Sequence, residues 1–116
     1  MGKRALETLT ESMFYVLMSF LSGERCGTDI AAWVLHRTQG RVRLGPGTLY
    51  AILPKFEEEG LIRQVAVEGR KRTYALTDKG RTLYREELER LRRCVADAEE
   101  EEKEAGEGGE TLPGRA

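Results

Sequence analysis

The apolar positions fall into four helical stretches and one pair of strand-like runs. The first stretch, Met13, Phe14, Tyr15, Val16, Leu17, Met18, Phe20 and Leu21, is apolar on nearly every side, so its helix needs burial on more than one face. One face would serve its own domain and another a partner chain. Thr8 and Glu11 stand at capping-box spacing before it, and Ser22 with Gly23 marks its end. A second helix, opening at Gly27 or Thr28 and ending near Gly40, would bury Ile30, Ala31, Val34 and Leu35. The third follows the i, i+3, i+4, i+7 template through Leu49, Ile52, Leu53 and Phe56. Pro46 suits its first position, and Gly60 suits a left-handed cap beyond which Leu61 folds back on Phe56. A fourth begins with Thr77 as N-cap and Asp78 in the first turn, and repeats Tyr84, Leu88, Leu91, Val95 and Ala98 at steps of four and three. That is the a/d seam of a helix that asks for a partner.

Between the third and fourth helices, residues 61 to 67 and 72 to 76 are rich in strand formers and are joined by Glu68-Gly69-Arg70-Lys71, which predicts a hairpin with a basic tip. Residues 41 to 44 are expected to form a short strand paired with it. Pro54 removes one backbone bond inside the third helix and crowds the Tyr50 carbonyl. The buried stripe continues through it, so a bent helix is expected rather than two. The pattern predicts a mainly α fold with a small β-hairpin (α+β). In it a winged helix-turn-helix over residues 1–77 precedes a dimerisation helix over 78–98, and the acidic, Gly-rich residues 99–116 have too little apolar content to fold.

Charge changes the picture more than composition does. The 116 residues carry a formal net charge of −1, which argues against nucleic acid until the chain is divided. Residues 1 to 95 hold 17 Lys+Arg against 12 Asp+Glu, net +5, and residues 96 to 116 hold 2 against 8, net −6. The part expected to fold is basic and the tail is acidic. Two distant cysteines, Cys26 and Cys94, form no metal-ligand or disulfide framework and fit a reducing, cytoplasmic setting. Lys3, Arg4 and the apolar run after Met13 outline a signal peptide only superficially, because Glu7 and Glu11 interrupt it and Phe20-Leu21-Ser22 is a poor cleavage site. No stretch is long enough to span a membrane. No nucleophile with a base, metal cluster or phosphate loop is recognisable, so neither enzyme chemistry nor a cofactor or metal is expected.

Opposite its buried stripe the third helix presents Gly47, Ala51, Pro54 and Glu58, flanked by Thr48, Tyr50 and Lys55. Small residues let a backbone approach the major groove, and Thr, Tyr and Lys reach bases or phosphates. The three glutamates at 57 to 59 would be kept away. An ordinary amphipathic helix shows the same stripe. What separates the readings is the hairpin that follows at once, with Arg70, Lys71 and Arg72 at or beside its tip. Thus double-stranded DNA is the expected partner, and a winged-helix module that binds only protein is the alternative. Lys3 and Arg4 form an arm that either touches phosphate or is simply solvated. Trp33 lies beside the second helix's stripe as a core or interface residue, or as a ligand platform. His36, without a partner pattern, reads as a surface residue.

Several spaced blocks carry a family resemblance: Gly47-Thr48-Leu49-Tyr50, Glu57-Glu58-Glu59-Gly60-Leu61-Ile62 and Arg72-Thr73-Tyr74-Ala75-Leu76-Thr77. Over roughly residues 8 to 95 the chain resembles the PadR family of bacterial transcriptional regulators, in its small subclass with one helix after the wing. The resemblance implies a homodimeric, ligand-responsive repressor on a palindromic operator, with DNA contacts from Lys3, Arg4, Thr28, Gly47, Thr48, Tyr50, Ala51, Lys55, Arg70, Lys71 and Arg72. It implies a dimer interface of Phe14, Leu17, Met18, Leu21, Tyr84, Leu88, Leu91 and Val95. A small aromatic or hydrophobic effector would lie near Tyr15, Trp33 and Leu91. Where the family has His-Gly-Tyr at the start of the second helix, this chain has Cys26-Gly27-Thr28, and Pro54 is unusual within the third.

Overall fold

In the computed structural model, which describes residues 9 to 108, the chain forms helices α1 (Glu11–Ser19), α2 (Gly27–Arg37), α3 (Pro46–Glu58) and α4 (Asp78–Gly108). Strands β1 (Arg25–Cys26), β2 (Ile62–Glu68) and β3 (Lys71–Leu76) make one antiparallel sheet in the order β1-β3-β2. The described residues divide into two compact units between Arg85 and Glu86. In the first, α1 packs on α2, α2 on β1 and β3, and α3 on β2. Val16, Leu17, Ile30, Phe56, Leu61 and Ile62 are sealed inside it. The second holds the remainder of α4.

The ends of α3 follow from its sequence. Pro46 occupies the first helical position, and the helix continues unbroken through Pro54 to Glu58. Gly60 takes a φ of +77°, which a glycine adopts without steric cost. Its amide donates to the Glu57 carbonyl and that of Leu61 to the Phe56 carbonyl, at 3.0 and 2.9 Å. This is the paired bonding of a Schellman cap, and it buries Leu61 beside Phe56. Thr77 then joins this cap to the next helix. Its hydroxyl accepts from the Gly80 amide at 3.0 Å and donates to the Gly60 carbonyl at 2.6 Å, while its own amide donates to the Leu61 carbonyl at 3.0 Å. The α4 N-terminus is thereby anchored to the end of α3.

Four expectations are corrected. The first helix starts at Glu11, capped by Thr10, whose hydroxyl accepts from the Met13 amide at 3.1 Å. Thr8 lies outside the described residues. The helix ends at Ser19 and is followed by i to i−3 bonds from Phe20, Leu21 and Gly23. Residues 41 to 44 form no strand. The Thr38 hydroxyl accepts from the Val42 amide at 3.0 Å, which ties that amide into the turn after α2, and the sheet's third strand comes instead from Arg25 and Cys26, paired with Tyr74 and Thr73. Helix α4 runs ten residues past 98 to Gly108, because alanine, glutamate and lysine favour helix even where they bury little. Finally, Leu17 is fully enclosed within its own chain and Phe14 stacks on Tyr84, with ring centroids 5.2 Å apart and planes 10° apart. Leu17 therefore offers no surface to a partner, and Phe14 offers almost none; Met18 is half-buried and Leu21 exposed.

Candidate nucleic-acid interface

The N-cap of α3 is Gly45, which has no side chain to cap the first turn, and that turn contains no acidic residue. The leading amides, those of Gly47 and Thr48, therefore lie ahead of the first intrahelical bonds at the positive end of the helix dipole. Burial of Leu49, Ile52, Leu53 and Phe56 turns the opposite side to solvent. Gly47, Thr48, Ala51, Pro54 and Lys55 are exposed there, and Tyr50 is 78% exposed.

The wing is built by the β2–β3 hairpin. Its loop is the pair Gly69-Arg70 between Glu68 and Lys71, and positive φ occurs at Gly69 (+62°) but not at Arg70, the pattern of a II′ turn with glycine first. Ladder pairing is irregular between Gln64 and Ala66, where β2 carries Val65 as an extra residue. Arg70, Lys71 and Arg72 are exposed at the tip, and the Arg72 guanidinium donates to the Gln64 side-chain oxygen at 3.2 Å.

Between α3, the start of α2 and the wing lies a groove of about 770 Å³. Thr28, Tyr50, Arg70, Lys71 and Arg72 all border it, so five of the residues singled out from sequence meet in one place. Its floor is apolar, with Ala31, Leu44, Pro46, Leu49 and Leu53. Gly47, Thr48, Ala51 and Lys55 stand on the exposed side of α3 and do not line the groove. Lys3 and Arg4 lie outside the described residues.

Two lining residues carry the site's other charges and hydroxyls. Glu57 also borders the groove. Tyr74, alternating with Arg72 along β3, is buried at the floor; burial raises its phenolic pKa above the usual value, and the Glu57 charge adds to that rise while Arg72 opposes it. The α2 end is also held in place. Asp29 accepts from the Cys26 amide at 3.3 Å, and the Cys26 sulfur lies 3.2 Å from the Thr28 hydroxyl. Hydrogen bonding to the Cys26 side chain and then its backbone amide holds the Asp29 carboxyl below the ordinary carboxylate range, with Lys71 and Arg25 contributing the same way. Sequence reading missed Cys26 and Tyr74 as lining residues. The available signal for Tyr74 was the two-residue strand period that puts it on the same face as Arg72.

Tyr15 and Trp33 do not line this groove. Tyr15 accepts a hydrogen bond from Arg41 at 2.9 Å, and the Arg25 guanidinium sits 5.8 Å from the centre of the Trp33 ring. In the second unit Leu88, Leu91, Val95 and Ala96 form a shallow apolar strip edged by Arg92 and Glu99, and Val95 is 55% exposed. Among the described residues no group of three or more His, Cys, Asp or Glu side chains is placed to hold a metal ion, and no helix is long and apolar enough to cross a membrane.

Compared with known proteins, residues 16–86 match the family model described as the transcriptional regulator PadR-like family. The chain is 34% identical over 83 residues to an uncharacterized 37.1 kDa protein in transposon TN4556 of Streptomyces fradiae. That alignment covers 72% of this chain and 24% of the relative, so the chain spans about a quarter of the relative's length. Among solved structures, a transcriptional regulator from Clostridium thermocellum shares the fold with a TM-score of 0.69 at 19% identity, over 80% of this chain and 97% of that one. Bacillus subtilis PadR in complex with operator DNA matches with a TM-score of 0.58 at 25% identity, over 66% of this chain and 45% of that one.

Proposed function

Since this chain belongs to the PadR-like family of transcriptional regulators, whose members are not enzymes, we propose that it is a sequence-specific DNA-binding repressor that works as a homodimer on a palindromic operator. The observation that supports this most is the convergence of Tyr50, Thr28 and the arginine- and lysine-bearing wing tip on one groove beside the exposed N-terminal turns of α3. In this reading α3 enters the major groove, Thr48, Tyr50 and Lys55 reach bases or backbone, and Arg70, Lys71 and Arg72 hold phosphates. The solved complex of a similar protein with operator DNA supports the same reading.

Dimerisation is proposed through the apolar strip of α4, Leu88, Leu91 and Val95, with Met18 and Leu21 as further exposed or half-exposed apolar positions. Two-fold pairing would set two copies of α3 about one DNA turn, roughly 34–36 Å, apart. Response to a small aromatic or hydrophobic effector belongs to the proposal on family likeness. Tyr15, Trp33 and Leu91 are the positions to vary, and all three are half-buried.

The test is a selection of bound sequences from random duplexes, followed by Tyr50→Ala and Lys55→Ala against the winning site. Both side chains are exposed, so both variants should stay folded. A lost base contact should weaken binding by about 1–3 kcal/mol and relax preference at one position, whereas a lost phosphate contact should weaken all sequences alike. Unchanged affinity in both variants would remove α3 from the interface.

A further inference from the structure

Ahead of Glu58 in the last turn, the outermost line of α3 carries no side-chain hydrogen-bonding chemistry. Gly47, Ala51 and Pro54 follow one another at steps of four and three, all exposed; Pro54, like Tyr50, borders the groove, while Gly47 and Ala51 do not. The helix contains no arginine, asparagine or glutamine, and Lys55 is its one cation. Reading guanine through its O6 and N7 takes arginine or lysine, and reading adenine through N6 and N7 takes asparagine or glutamine. The base feature that suits an exposed apolar side chain is the thymine 5-methyl group. Pro54, which contributes neither an amide nor a polar side chain, fits this role at the edge of the groove.

Gly47 supplies an independent observation. A Cβ built there would meet nothing within 4 Å, and its φ is not positive, so neither packing nor backbone conformation within the chain requires glycine. Glycine near the start of a helix weakens it relative to alanine. A bare Cα on the outermost line does, however, let the helix backbone approach another molecule closely.

We propose that α3 reads sequence chiefly through thymine methyl groups, with Ala51 and Pro54 as the contacting residues and Gly47 setting the close approach. This rests on α3 entering the major groove and adds what it recognises there. The operator half-site should carry thymines on the strand facing Ala51 and Pro54. The arginines and lysine of the wing would then supply affinity without choosing the bases.

The experiment uses the full chain and the selected operator. Each thymine of a half-site is replaced singly by deoxyuridine, which deletes only the methyl, and then by 5-bromodeoxyuridine, whose bromine is methyl-sized. At one or more positions deoxyuridine should weaken binding about fourfold, the value expected for one lost buried methyl, and the bromo base should restore it. In Ala51→Gly the deoxyuridine penalty should vanish at the position Ala51 covers, with circular dichroism checking that the variant is folded; the scan on the wild type stands whether or not it is. Uniform tolerance of deoxyuridine at every thymine, with the operator still preferred over random duplex, would overturn the inference while leaving DNA binding intact. A penalty that bromine does not restore would also overturn it, since the effect would then come from duplex deformability. If no sequence is enriched over random duplex, specific DNA recognition itself fails, and methyl readout with it.

Discussion

Gly80 in α4 and Gly47 in α3 illustrate how differently one residue type is used. A Cβ at Gly80 would lie 2.1 Å from the Leu61 carbonyl oxygen and 2.8 Å from a Leu76 methyl, so the first turn of α4 packs against backbone that cannot yield. Gly80→Ala should cost about 3 kcal/mol of stability, measured by denaturant unfolding, although alanine is the better helix former. Gly47 faces open space. Gly47→Ala should raise stability by about 0.5 kcal/mol and at the same time weaken operator binding, because the added methyl obstructs close approach. If Gly47→Ala gained stability with no loss of affinity, the outermost line of α3 would not be in contact with DNA. Gly47's place on the exposed face was readable from the chain alone, whereas Gly80 is explained only by a carbonyl nineteen positions away in sequence.

At the scale of elements, all four helices were legible from their apolar positions, although the ends of α1 and the end of α4 were not. The α3 stripe, its Pro46 start and its Gly60 cap all appear where the residue types place them. Thr77 was legible as an N-cap, but its second bond, to the Gly60 carbonyl, was not, since it depends on the hairpin returning β3 to the end of α3. Thr77→Ala should therefore lose more than a surface cap, about 2 kcal/mol or somewhat over, with thermal unfolding as the readout. A loss of only a few tenths would mean that the junction of α3 and α4 is held without it. Strand β1 was missed because two residues have no period, and because pairing of Arg25 and Cys26 with Tyr74 and Thr73 is decided by tertiary packing. Residues 41 to 44 looked strand-like for the complementary reason: Val42 and Leu44 alternate with arginines and are both buried, yet the Thr38 side chain holds the backbone at Val42 in a turn. In the candidate site, exposed residues on α3 and the wing were recognisable one by one, whereas the groove that joins five of them to Tyr74 needed the fold.

For the whole molecule, the proposal requires two copies and one DNA face. The apolar strip of α4 gives the first requirement a direct test. Leu91→Arg would leave a charge buried unpaired in a dimer, at a cost of several kcal/mol, so sedimentation should show a wild-type dimer and a variant monomer that no longer holds the operator. A wild-type monomer at micromolar concentration would defeat that part of the account. The second requirement is the central one, and the net charge of −1 makes it a demanding claim, because the whole chain is not basic. Attraction must come from the local surface at α3 and the wing, where Arg70, Lys71 and Arg72 stand exposed beside Tyr50 and Thr28. The most direct measurement is the salt dependence of duplex binding for the wild type and for the variant with all three residues changed to alanine. The account predicts that log affinity falls steeply and linearly with log salt in the wild type, and that the triple variant's slope is shallower by about 2 to 3, one phosphate contact per lost charge. An unchanged slope would contradict it, placing the wing away from DNA.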